Sequence, residues 1–400
     1  MKVRYIWFFA ILCFSCAGAS AVKQETSPPV RETLFPQEQT PAETVEKEHF
    51  VTIVAAGDNL FQTPILEEFN ITDPVSKKTG YSFLPLYEHI KQYIEKADIA
   101  FVNQETVFGP SNSVYSGYPL FNTPKEAGDA LAATGFDVIN HATNHALDMG
   151  ETGILSTIEY WSTYPDVFCL GIFKSNEERE TPFCIIEKNT IKVGFLSYTT
   201  GTNRIPFPKN KQYLVSLADR ELMSKELDAL RSLCDYMVVS MHWGNEYEES
   251  ASPAQRELAA FLAEHNTDLI LGHHPHVIQP VEQITRADSG ETLCIYSLGN
   301  FVSAHAGQDK DAILGGLLFA QLKKTETGTR LDKAGLIPII THYEESAKGR
   351  TIYPLHEYTE ELAQKHGGRK RFALLNKDYY IKKAEEIFGS RLWLFNPFTN

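Results

Sequence analysis

Residues 269–282 read LILGHHPHVIQPVE, an apolar run that closes on His273, His274 and His276 set around Pro275. A run of this length ending in polar residues reads as a buried strand of an α/β sheet. Side chains alternate across an extended segment, so His274 and His276 are expected on one side and His273 on the other. Pro275 fixes φ between them and removes a competing N–H. His274 and His276 are the candidate ligands. His273 is expected behind them, as a hydrogen-bonded supporting or core histidine.

Outward from this stretch the pattern repeats. Short Val/Ile-rich runs at 51–56, 98–102, 137–139, 167–172, 191–197 and 236–241 alternate with helical spacing at 85–96, 124–134, 152–160, 219–233 and 253–265. That order defines an α/β body. Asp219 and Ser252 stand where helix N-caps belong. After Thr292 the runs LCIYSL, GGLLFAQL and AGLIPIITH predict antiparallel ladders, and 377–389 predicts a helix.

Polar residues collect just beyond these strands. Asp58 follows the first, Glu105 the second, and Asn144 and His145 the third; His242 ends the run at 236–241. In open α/β sheets ligands bind outside the carboxyl ends of the strands, so the five clusters are expected to meet. Two carboxylates, the Asn144 amide oxygen and three imidazoles make a mixed O/N donor set without thiolate, which suits Mn, Fe or Zn. Six ligands exceed the four of a closed structural zinc, so two cations are expected, with Glu105 able to bridge them. His145 would protonate a leaving group, Asp148 would orient it, and Glu246 is a supporting base.

With 400 residues, 43% of them hydrophobic, the chain has ample material for a large core. A net charge of -14, with no basic run beyond Arg369-Lys370-Arg371, excludes nucleic acid as a partner. The start, MKVRYIWFFAILCFSCAGAS, follows a signal-peptide plan over 1–21, with Cys16 a lipidation site or, alternatively, ordinary cleavage after Ala19 or Ala21. Residues 22–48 read as a disordered linker, 49–345 as the body and 346–400 as an extension packing on it. The chain is therefore expected to be exported and tethered by lipid at the outer face of the bacterial cytoplasmic membrane or in the periplasm. Cys169, Cys184, Cys234 and Cys294 are expected as buried free thiols; export would permit a disulfide, with Cys169 to Cys184 the most plausible pair.

Six motifs in order carry a resemblance: GDN at 57–59, NQE at 103–105, NHALDMG at 144–150, HWGNEY at 242–247, GHHPHV at 272–277 and SLGNF at 297–301. Together they resemble the bacterial capsule-synthesis CapA/PgsA family, related to the calcineurin-like metallophosphoesterases. The resemblance implies a four-layer α-β-β-α sandwich and a role in making or exporting poly-γ-glutamate or a related capsule polymer. It implies Asp58, Glu105, Asn144, His242, His274 and His276 as metal ligands and His145 as catalytic histidine, with Asn300 near the site. Two positions depart: Leu60 stands where metallophosphoesterases carry a histidine, and Glu105 where they carry a bridging aspartate. Alternatives are a phosphomonoesterase or phosphodiesterase acting on envelope or nucleotide substrates, and a non-catalytic scaffold binding an anionic polymer. A membrane synthase complex is the expected further partner. GTNRIPFPKNK at 201–211 is expected to flank the site, with Arg204, Lys209 and Lys211 offsetting the acidic surface.

Overall fold

Strands buried on both faces need cover on each, and here the alternation of apolar residues supplies it. The computed structural model describes residues 48–71, 80–110, 112–304, 309–346, 348–373 and 375–399. The signal-type segment, Cys16 and the linker lie outside them, and the described residues all belong to the unit Glu46–Asn400. Strands β1 (His49–Asn59), β2 (Ile99–Gln104), β3 (Val138–Asn140) and β4 (Phe168–Leu170) run parallel in one sheet. A second sheet, in the order β5-β6-β7-β8-β10-β9, takes β5 (Cys184–Lys188), β6 (Ile191–Thr199), β7 (Tyr236–His242), β8 (Leu269–His273), β9 (Val281–Thr285) and β10 (Glu291–Ile295). The chain then returns to the first sheet as β11 (Asn300–Val302), β12 (Leu314–Thr325), β13 (Gly328–His342) and β14 (Thr351–Pro354).

Val51, Ile53 and Ala55 of β1 and Phe101 of β2 share one apolar cluster with Phe195, Val238 and Leu271 of the second sheet. Their neighbours Val54, Ala56 and Val102 face the other way, with Ala127, Leu131 and Trp161 of the helices Glu126–Thr134 and Gly150–Trp161. Met237 and Val239 likewise join Leu227 and Leu262 of the helices Arg220–Arg231 and Pro253–Glu264. The result is the four-layer α-β-β-α sandwich expected from the sequence. Beyond 345, Tyr358, Tyr380 and Phe388 enter the inter-sheet cluster, and β14 pairs with β13.

Asp219 and Ser252 cap as expected; Ser252 and Gln255 form a reciprocal capping box ahead of Pro253. Three expectations need correction. The single helix at 85–96 is a 3-10 turn, Leu84–Tyr87, and one α turn, Lys91–Ile94. Leu86, Tyr87, Ile90, Tyr93 and Ile94 are all buried, so the helical apolar pattern is kept although the backbone winds as two short turns. The run LCIYSL is antiparallel to β9 but parallel to β8, because it follows a return across the sheet. The suggested Cys169 to Cys184 pairing fails, since β4 and β5 belong to different sheets and both thiols are free.

Two glycines let the chain close tightly at the strand ends. A Cβ on Gly57 would lie 2.0 Å from the Gly299 carbonyl oxygen, and one on Gly272 2.0 Å from that of Tyr296. Asp58 N–H donates to Gly299 O at 2.9 Å, so the same contact sets the height of Asp58. Gly272→Ala is expected to cost about 3 kcal/mol by overpacking against backbone. Gly201→Ala, with open space around it, should change stability by less than about 0.5 kcal/mol. Urea midpoints at unchanged slope check both.

Candidate metal centre

The strand ends do meet. Asp58 from β1 and Glu105 after β2 come from one sheet; His242 ends β7, and His274 and His276 follow β8 of the other. His276 Nδ1 lies 3.2 Å from Asp58 Oδ2, and its Nε2 lies 3.7 Å from Glu105 Oε1. His242 Nε2 is also 3.7 Å from Glu105 Oε1 and 2.9 Å from Asn144 Oδ1. Ligand-type atoms of Glu105, His242 and His274, of Asp58, Glu105 and His276, and of Glu246, His274 and His276 form three groups, each within 4.8 Å. All six proposed ligand positions therefore belong to one cluster.

The carboxylates are where the electrostatics are extreme. Both Glu105 oxygens are buried without a hydrogen-bond partner among the described residues, as is His274 Nδ1. Burial pushes the Glu105 carboxyl well above the usual range, with nearby Asp58 adding to the rise and His276 opposing it. Asp58 is buried too, yet its hydrogen bonds from His276 and Asn103 and the charge of His276 hold it below that range. His276 is raised to about 9 despite burial, by Glu105 and Asp58. Burial takes His274 and His273 down to about 4, and drives His242 far below its ordinary value. The neutral imidazoles of His242 and His274, together with the buried Glu105 and Asp58 carboxyls, make a donor set that a divalent cation fits, and the cation would take over the charge balance that His276 supplies.

His145 stands at the edge of this cluster. Its Nδ1 meets Asp148 Oδ2 at 2.7 Å, and Asp148 Oδ2 also accepts from Phe121 N–H at 2.7 Å. The Phe121 ring stands edge-on to the imidazole at 4.7 Å and 83°, restricting its rotation. A bond from Nδ1–H to the carboxylate leaves Nε2 as the reactive nitrogen. A cavity of about 160 Å³ joins His145, Glu246, Tyr247 and His276.

His274 and His276 converge, though not by strand alternation. β8 ends at His273, and His274 (φ 96°) and His276 (φ 60°) both take left-handed backbone on either side of Pro275. Non-glycine residues there carry strain, which a functional constraint sustains. His273 is buried against Phe101, with ring centroids 5.8 Å apart; neither ring nitrogen has a hydrogen bond among the described residues, and Nδ1 is 3.7 Å from Asp58 Oδ1. Asn300 pairs with Asp58 in register and its Oδ1 lies 3.0 Å from His276 Nδ1.

An amide relay beneath the ligands went unread in the sequence. Asn140 donates to Asn103 at 2.6 Å, and Asn103 donates to Asp58 at 2.7 Å and faces His242 Nδ1 at 3.4 Å. Two asparagines ending adjacent parallel strands were the available signal. Asn203, in the loop after β6, was missed as well: its Oδ1 accepts from Asn144 at 3.1 Å, and its Nδ2 lies 3.3 Å from His145 Nδ1.

Fold and site together define a four-layer α/β sandwich with a buried carboxylate–imidazole centre of metal-binding type. Residues 52–305 match the family described as bacterial capsule synthesis protein PGA_cap, and the chain belongs to that family. It is 32% identical over 181 residues to the PGA biosynthesis protein CapA of Bacillus subtilis (strain 168), covering 45% of this chain and 46% of that one. It is 28% identical over 227 residues to the capsule biosynthesis protein CapA of Bacillus anthracis, covering 54% and 53%. The match thus spans about half the length of these curated relatives. Among solved structures, the calcineurin-like phosphoesterase YfkN of Bacillus subtilis aligns over 84% of this chain and all (100%) of that one, at 15% identity and a TM-score of 0.40.

Metal uptake should release protons, because Glu105 and His276 are pushed toward their protonated forms and must give them up to bind a cation. Apparent affinity for Mn²⁺ or Zn²⁺ is expected to rise with pH until His276 deprotonates at about 9. Calorimetry in two buffers of different ionisation enthalpy reads the released protons directly. Uptake at pH 7 without proton release would contradict this electrostatic picture.

Proposed function

We propose that this chain is a metal-dependent hydrolase of the bacterial envelope that acts in making or exporting poly-γ-glutamate or a related anionic capsule polymer. The observation that carries the hydrolase reading is the Glu105 carboxylate, buried with neither oxygen hydrogen-bonded among the described residues and flanked by His242 and His276. Family membership supports the polymer. Asp58, Glu105, Asn144, His242, His274 and His276 would hold two cations, of Mn, Fe or Zn. When bound, such cations supply Lewis acidity toward an ester or amide oxygen.

The protein's own groups do the rest. Asp148 holds the His145 ring by Nδ1, and Phe121 N–H and the Phe121 ring fix that pair in place. His145 lines the cavity, where as general acid it protonates the leaving oxygen or nitrogen of the bond that water cleaves. Asn103, facing His242 Nδ1, orients that ring so that Nε2, beside Asn144 Oδ1, is the nitrogen that would meet a cation. No helix among the described residues is long and apolar enough to cross a membrane. We place the body at the membrane surface through a lipid on Cys16 and the linker beyond it, beside a membrane synthase complex.

Elemental mass spectrometry of the purified protein should find close to two metals per chain, falling by at least one in Asp58→Ala, His242→Ala and His274→Ala. His145→Ala should keep its metals and lose about a hundredfold or more in turnover of a phosphodiester or γ-glutamyl test substrate. Full metal retention in the three ligand variants would sink the reading of a shared centre.

A further inference from the structure

The loop after β6 makes a hydrogen-bonded turn at the mouth of the metal centre. Ile205 N–H donates to Thr202 O at 2.8 Å, and the two central residues, Asn203 (φ 50°) and Arg204 (φ 62°), both take left-handed backbone. Two positive φ values in succession are the geometry for which Asn-Gly is the favoured pair. Asn203 fits that preference. Arg204 does not, since a long side chain there is strained where glycine would not be.

The turn is anchored to the chemistry rather than to open surface. Asn203 reaches Asn144 and His145, the first a proposed ligand and the second the proposed acid. Thr202 Oγ1 donates back to Ile205 O at 3.0 Å, closing the turn on itself. Arg204 is thereby held at a cleft of about 390 Å³, with Tyr118, Leu120, His145, Ile205 and Glu246 among its other walls. Arg204 is exposed and forms no ion pair or hydrogen bond among the described residues. The other cations of this loop are placed differently: Lys211 pairs with Glu151 on the helix Gly150–Trp161, and Lys209 does not line the cleft.

The geometry points to Arg204 as the residue that receives an oxyanion of the substrate, a carboxylate or a phosphate, close to the bond that His145 attends. This inference rests on the hydrolase reading above and names the residue that would engage the anionic chain. Strain at Arg204 is repaid by what its guanidinium can do there: its planar fork donates to two oxygens at once, which a lysine cannot match. Glu246, which also lines the cleft, repels an anion, so the Arg204 cation orients the chain as well as attracting it. Tyr118 and Leu120, 77% and 50% exposed, offer an apolar ledge for the methylene groups between charges.

Arg204→Gly separates recognition from folding, because glycine takes φ 62° without strain. In the full-length metal-loaded protein, calorimetric titration with tri-γ-glutamate and, separately, with tripolyphosphate is expected to show at least tenfold weaker binding in Arg204→Gly. Arg204→Lys should fall between, and the melting temperature of Arg204→Gly should hold or rise. Weakening for tri-γ-glutamate alone supports a carboxylate, for tripolyphosphate alone a phosphate, and for both an oxyanion in general. Unchanged affinity for both probes, or no binding by the unmodified protein, overturns the assignment. Metal content measured on the same samples separates the two readings: intact metal with Arg204-independent binding fails this inference only, whereas Arg204-dependent binding without metal fails the hydrolase and leaves the oxyanion contact standing.

Discussion

A carboxylate buried away from hydrogen-bond donors needs a positive partner, and the centre of this molecule is built around that need. Glu105 has neither oxygen satisfied, and Asp58, just across from it, is served by His276 and Asn103. His276 lies between the two acids and is raised by both. Everything nearby serves to hold those charges in place: the amide relay below, the close glycine contacts that set strand height, and the left-handed backbone at His274 and His276.

Those constraints were unequally legible in the sequence. Strand runs ending in Asp58, Glu105, His242 and the histidine cluster gave the layout of the centre, because buried parallel strands leave an apolar signature and their polar successors can only lie at one edge. The capped helices were equally plain from Asp219 and Ser252. The convergence of His274 and His276 was foreseen for a reason the structure replaces: positive φ around Pro275, not alternation, brings them together. No local pattern announces such a conformation when the residues adopting it are histidines rather than glycines.

Other features were hidden because they depend on pairings distant in the chain. Asn103 and Asn140 meet only because β2 and β3 are neighbours in register, and Asn300 reaches His276 only because β11 returns to lie beside β1. The helix expected at 85–96 broke into tight turns as its tyrosines reached partners across the fold, Tyr87 to Asn59 and Tyr93 to Glu357. Local propensity is a weak prior where a buried hydroxyl has a remote acceptor to find.

The two sheets contribute opposite halves of the centre. Asp58, Glu105 and Asn144 ride on the first, whereas His242, His274 and His276 ride on the second, and the chain passes from one sheet to the other between Leu170 and Cys184. In both groups that contain Glu105, the carboxylate meets imidazoles from the other sheet. Sliding one sheet against the other would part carboxylates from imidazoles without touching any ligand, so a cavity opened among the inter-sheet residues Phe101, Phe195 and Leu271 acts on the centre from a distance.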